Sequence, residues 1–246
     1  MDPSLGRVGI GIITRNRSGI LNYSLQFFNE FGHGSSIVVV DDDTPEPECD
    51  LNKEVCEHHQ VEYFKTTRLG IAKAKNLCLE LLGDCDHYFL FDDDAWPVQR
   101  GWEAHYIELA RNTGQEHLMH LLDLPGMPRM HSERGLSWHS QCGGVMLYLT
   151  KKAKETTGGW NPKFNIYGYE HAELSRRIYS LGLTQGPGPY ISSATSKEWI
   201  YSLDFNLNNL GEHPPGITIG PREFMPSLIG ECERIPEFIA ENSQYL

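Results

Sequence analysis

Cysteine is scarce and unpatterned in this chain. The six thiols, Cys49, Cys56, Cys78, Cys85, Cys142 and Cys232, form no Cys-x-x-Cys pair and no other zinc-ligand spacing. That argues against a thiolate zinc module, and such sparseness over 246 residues fits reduced thiols in a cytoplasmic protein. Long apolar runs are missing too, and no stretch approaches the length of a membrane span. The opening MDPSLGRVGIGIITRNR has no basic segment followed by a long apolar run, so no secretory signal is expected. Basic residues are in deficit, 21 against 33 acids, for a net charge of −12. This balance disfavours a nucleic-acid backbone or an anionic membrane surface as the main partner, a local basic groove excepted. No repeat or linker divides the chain. One domain over residues 1–246 is expected, with a core at 7–183 and an irregular extension at 184–246.

Alternation fills the first two-thirds of the chain. VGIGII (8–13), SIVVVDDD (36–43), VEYFKT (61–66) and HYFLFDDD (87–94) read as strands. LNYSLQFFNEF (21–31), LGIAKAKNLCLELLG (69–83) and GWEAHYIELAR (101–111) repeat apolar residues at helical spacing. Short apolar strands with intervening helices predict an α/β fold, a mainly parallel sheet covered on both faces. In such sheets ligands bind at the carboxyl ends of the strands. Three of these strands end in TRNR, DDD and DDD, so polar chemistry from separate segments meets on one rim.

The triplet Asp92, Asp93 and Asp94 emerges directly from an apolar strand. An extended backbone turns Asp92 and Asp94 to one side and Asp93 to the other. Two carboxylates on one side form a hard-oxygen pair suited to Mn²⁺ or Mg²⁺, which could bridge to a diphosphate. The earlier triplet, in VVVDDDTPEPE (38–48), also suits a solvated turn. Later come a glycine pair, Gly143 and Gly144, a GGWNP turn, and a helix opening at Glu170 and His171 with an apolar stripe of Leu174, Ile178 and Leu181. Glu173 and Arg177 are spaced for an i,i+4 ion pair on that helix.

Taken in order, IITRNR, VVVDDD, GIAKAKN, FDDD, GGWNPKF and GYEHAEL resemble the GT-A fold nucleotide-sugar-dependent glycosyltransferases over roughly residues 8–183. The local match is best to the polypeptide N-acetylgalactosaminyltransferases, whose GGYDP…WGGENLELSFRIW is similar to GGWNPKFNIYGYEHAELSRRIY. His171 stands where that group has asparagine, and the metal motif is D-x-D rather than D-x-H.

The resemblance implies roles. Asp92 and Asp94 would hold the metal, with His213 as a third ligand and His131 and His139 as competitors. Asp41 or Asp42 would accept a hydrogen bond from a uracil ring, and Thr14 and Arg15 would line base and ribose. Arg68, Lys73, Lys75, Asn76, Asp93, Gly143 and Gly144 would complete the donor site. Glu170 and His171 would face the acceptor, and retention of anomeric configuration is slightly favoured over inversion. If the enzyme inverts, His171 reaches a base-like pKa more easily than Glu170. Residues 125–141 are expected to form a loop over the donor. Two other readings remain: a sugar-nucleotide-forming nucleotidyltransferase, and a non-catalytic module of the same fold that binds a nucleotide-sugar or glycan. The acceptor is not legible.

Overall fold

In the computed structural model, residues 5–32, 34–164, 166 and 168–205 are described. Strands β1 (Val8–Thr14), β2 (Ser36–Asp42), β3 (Glu62–Thr66) and β4 (His87–Asp92) pair in parallel. Beyond β4 lie β9 (Met146–Thr150), β6 (His117–Met119), β10 (Ile191–Ser193), β8 (Leu136–His139) and β7 (Arg129–Glu133), giving the order β3-β2-β1-β4-β9-β6-β10-β8-β7. Within this sheet β9 and β8 run against the rest. A short second sheet pairs β5 (Ala95–Pro97) with β11 (Ile200–Ser202).

The alternation inside VGIGII explains how the layers close. Ile10 and Ile12 point into one core with Val39, Phe89 and Phe91, beneath α1 (Ser18–Phe31) and α4 (Trp102–Thr113). Phe28 meets Phe91 edge-on at 4.9 Å, and Trp102 meets Phe89 at 4.8 Å. Each such ring contributes roughly 1.5–3 kcal/mol by leaving water. Gly9 and Gly11 face the other side, under α3 (Ile71–Leu81). A β-carbon on Gly11 would lie 2.6 Å from Cys78 Cβ, so glycine lets the helix settle directly on the strand. Val38, Val40, Tyr88 and Leu90 share that second core with Ala153 of α5 (Lys151–Thr157) and with Leu174 and Ile178 of α6 (Glu170–Ser180). Leu181, expected in the apolar stripe of α6, is exposed just past its end.

Two segments differ from expectation. The stretch read as a loop over the donor contains an antiparallel hairpin. Arg134 and Gly135 both take positive φ, 51° and 79°, as a two-residue hairpin turn needs. Strand β7 is wholly exposed and β8 wholly buried, so the pair carries no shared alternation to read. A helix α2 (Glu48–His59) follows the earlier triplet and was not evident in the sequence. Its inward residues are Cys49, Asn52, Cys56 and His59, too polar to register as an apolar stripe. Beyond residue 183, β10 sits inside the main sheet between β6 and β8.

Candidate active site

Strand register brings the rim together. Ile13 pairs with Asp92, Thr14 with Asp41, and Asp42 with Thr66, so the carboxyl ends of four parallel strands align. Strand β4 stops at Asp92, and Asp93 and Asp94 turn the chain into β5. The turn is pinned from across the second sheet, where Leu203 N donates to Asp94 O at 2.9 Å.

This turn corrects the expected facing of the triplet. Asp93 and Asp94 share one cation: Arg17 Nη1 lies 2.9 Å from Asp93 Oδ1 and 2.9 Å from Asp94 Oδ2. Thr14 Oγ1 donates to Asp93 Oδ2 at 2.7 Å. Asp92 is the one set apart. Its Oδ1 is 2.9 Å from Lys75 Nζ, an ion pair without hydrogen-bond alignment, while Lys75 donates to Gly144 O at 2.7 Å. Lys75 is fully buried.

Burial decides the charges. It pushes the Asp94 carboxyl up to about 8, aided by Asp204 and Asp93 and opposed by Arg17. Burial also raises Asp93, against Arg17 and Thr14. Asp93 in turn raises the Arg17 guanidinium, which stays charged. Asp94 Oδ1 has no hydrogen-bond partner among the described residues, a costly state for a buried oxygen at a site only 4% exposed. A hard divalent cation fits this donor set, since Mg²⁺-like ions are held by one or two carboxylates and complete their shell from phosphates and water. No group of three His, Cys, Asp or Glu side chains converges as a metal cluster among the described residues. His213 lies outside them.

Other candidates serve the scaffold. Asp41 is fully buried and accepts from Thr44 N, Asn52 Nδ2 and Tyr63 OH at 2.8–2.9 Å. The resemblance implied a uracil contact, but these donors tie Asp41 to α2 and β3. Asp42 accepts from Leu69 N at 2.5 Å and Gly70 N at 3.0 Å, and Arg68 Nε is 3.8 Å away. It thereby fixes the loop entering α3. Asn76 donates to Trp160 O and accepts from Trp160 N, at 2.7 and 2.8 Å. That clamps the GGWNP turn, where a donor contact had been expected. Arg15 is half-buried on the rim and Lys73 is exposed. His139 is buried against Ser137 and Met127 O, and His131 is exposed on β7, so neither joins the acid turn.

Glu170 opens α6, buried to 2% exposure, after Tyr169 at φ 61°. Its Oε2 accepts from Gly168 N at 2.7 Å, and its Oε1 is 3.2 Å from His171 Nε2. Burial raises the Glu170 carboxyl; Lys75 opposes and Asp92 adds to the rise. Glu170 and Asp92 thus feel each other across one buried ammonium, Lys75. Trp160 Nε1 donates to His171 Nδ1 at 2.9 Å. A β-carbon on Gly144 would overlap the His171 ring, so this glycine admits the imidazole, while Gly143 makes room for Phe205 and Leu121. Trp160 was not singled out in the sequence, although it follows the GG signal directly. Farther along α6, Glu173 and Arg177 form the expected pair at 2.8 Å.

Solved structures share this fold. A mannosyltransferase from Pyrobaculum calidifontis, in complex with GDP-Man and Mn²⁺, matches with TM-score 0.56 and 16% identity over 77% of this chain and 57% of its own. GalNAc-T7 with UDP, GalNAc and Mn²⁺ matches with TM-score 0.61 and 13% identity, over 74% of this chain and 42% of its own. The chain has the GT-A fold. TarS from S. aureus, at TM-score 0.53 and 12% identity over 70% of this chain and 33% of its own, shares this GT-A architecture. The chain spans 57%, 42% and 33% of the lengths of these three. No family model and no curated protein matches the sequence. The GT-A sheet accounts for the rim: the strand ends carrying Thr14, Asp42 and Asp92 all open on one edge. No helix among the described residues is long and apolar enough to cross a membrane.

Proposed function

We propose that this chain is a metal-dependent glycosyltransferase that moves a sugar from a UDP-sugar to an acceptor hydroxyl, with retention at the anomeric carbon. The observation that carries the reading is the acid turn: a buried Asp94 with an unmatched oxygen, beside Asp92, which faces Glu170 across Lys75. Two GT-A structures of this fold hold Mn²⁺ with UDP or GDP-Man, which supports a nucleotide-sugar donor here. Asp92 and Asp94 would hold Mn²⁺ or Mg²⁺, with His213 a further candidate ligand. When bound, such an ion supplies positive charge to a departing diphosphate.

This chain's own groups do the rest. Thr14, Arg15, Asp42 and Arg68 line the nucleoside end, while Asp93, Gly143 and Gly144 border the sugar. Glu170 accepts a hydrogen bond from the acceptor hydroxyl and holds its oxygen toward the anomeric carbon. The acceptor oxygen forms its bond to that carbon as the carbon–phosphate oxygen bond breaks. The electron pair leaves on the diphosphate, and the acceptor proton passes to the same phosphate oxygen. Retention is supported by His171, whose Nδ1 lone pair is taken by the Trp160 N–H and so leaves no free imidazole base there.

Thermal unfolding with UDP, GDP, CDP, their sugar conjugates and the nucleoside triphosphates, with Mn²⁺ or EDTA, tests the donor class. Ligand at 100 times its Kd stabilises by about 2.7 kcal/mol, a rise of roughly 5–10 °C at this size. We expect a Mn²⁺-dependent shift with UDP and its sugars. A shift only with nucleoside triphosphates would favour the nucleotidyltransferase, and binding with no transfer to water or any acceptor would favour the non-catalytic module. An inverted product anomer by NMR would overturn retention.

A further inference from the structure

We infer that His171 is a positioning residue: a neutral imidazole, locked in one tautomer by Trp160, whose Nε2 side lies against the Glu170 carboxylate at the mouth of α6. The inference rests on the transferase reading for its purpose but on hydrogen-bond geometry for its substance.

The argument starts from the donor inventory. An indole nitrogen only donates. Trp160 Nε1 at 2.9 Å from His171 Nδ1 therefore requires that Nδ1 carry a lone pair. A neutral ring then bears its proton on Nε2, the nitrogen 3.2 Å from Glu170 Oε1. Neither nitrogen can take a proton from an acceptor. Nδ1 is occupied by the indole, and Nε2 already holds one.

The surroundings keep it so. The ring is enclosed by Trp160, by the Gly144 backbone and by β6, with 12% of its side chain exposed. The charged and titratable groups facing it are Glu170 on its own helix, Lys75 from α3 and His117 from β6. Burial, then Lys75 and His117, hold the imidazole well below its ordinary value. His117 is itself spent, bonded to Tyr148 O at 2.8 Å and Ser175 Oγ at 2.9 Å.

The chain of supports runs further. Asn76 clamps the Trp160 backbone on both sides, Trp160 fixes the histidine tautomer, and the imidazole stands 3.2 Å from one oxygen of Glu170 while Gly168 N donates to the other. A carboxylate has about four lone-pair sites, so two remain for an acceptor hydroxyl. Glu170 touches the substrate; His171 acts through it.

The test combines spectra with kinetics on the full chain. Long-range ¹H–¹⁵N spectra should show His171 as the Nε2–H tautomer throughout about pH 6 to 8, the range in which an ordinary histidine titrates. Trp160→Phe removes the indole N–H and keeps an aromatic ring, so the His171 midpoint should rise toward its ordinary 6.5. His171→Gln places an N–H donor at a similar reach without titrating, and should keep kcat within about threefold with an unchanged pH profile. His171→Ala should lose about tenfold in kcat, the scale of one lost hydrogen bond. Loss of about 10²–10⁴ in both variants, with disappearance of the acid limb, would make His171 a base and overturn the inference. So would a wild-type His171 that titrates near 6.5. If no nucleotide-sugar is turned over, the transferase reading fails, and the tautomer and the Trp160→Phe titration still decide the role of His171.

Discussion

Asp94→Asn should make the metal-free protein more stable at alkaline pH while removing its response to Mn²⁺. The ordinary carboxyl value is 3.8, and burial with Asp204 and Asp93 pushes Asp94 to about 8 in the fold. Below about 4 the group is protonated in both folded and unfolded chains. Between 4 and 8 the folded protein keeps the proton and the unfolded chain releases it, so stability falls as pH rises through this window. At about 1.4 kcal/mol per tenfold in proton affinity, ionising Asp94 costs the fold on the order of 5 kcal/mol by pH 8. Asparagine keeps the shape and removes the charge, but it weakens the bond to Arg17 Nη1 at 2.9 Å. That loss offsets roughly 1.5–3 kcal/mol. The net gain is about 2–4 kcal/mol at pH 8.5 and none at pH 4.5, where only the weakened Arg17 bond is felt. For a chain of this size 2–4 kcal/mol is a rise of about 4–16 °C in Tm. Thermal unfolding in EDTA at the two pH values reads it directly. An equal Tm difference at both would refute the buried-carboxylate argument, and a Mn²⁺ shift surviving in the variant with UDP would refute Asp94 as a ligand.

Other consequences follow from the contacts. Asn76→Ala removes both bonds to the Trp160 backbone and should destabilise by about 2 kcal/mol by denaturant titration, with the Kd for UDP unchanged; an unaltered midpoint with weakened UDP binding would restore Asn76 to the donor site. Gly144→Ala drives a methyl into the His171 ring and should cost about 1–3 kcal/mol, with kcat falling more than KM rises. Wild-type stability there would show that the ring can shift.

Much of the rim was legible because it follows from chain chemistry. VGIGII, SIVVV and HYFLF are apolar runs that stop abruptly at polar residues, and a parallel sheet gathers such ends on one edge. Helices α1 and α3 were readable from Leu21, Leu25, Phe28, Ala74 and Cys78, which recur at helical spacing and are buried. Helix α2 escaped because Asn52 and His59 fill inward positions, and the β7–β8 hairpin because an Arg-Gly turn lacks the usual asparagine.

By itself, then, the sequence determined an α/β sheet with acids at its carboxyl edge and a glutamate at a helix mouth. Local periodicity and abrupt polarity changes suffice for that. Tertiary structure alone decided which acid meets which cation. Arg17 and the triplet are 76 and 77 residues apart, and Asn76 and Trp160 are 84 apart. No spacing rule links such positions; only the pairing of β1 with β4, and the packing of α3 against the turn before α6, bring them within hydrogen-bond reach. The same packing took Asp41 and Asn76 into the scaffold and gave His171 a fixed proton, because a buried polar atom must bond to whatever the fold sets beside it.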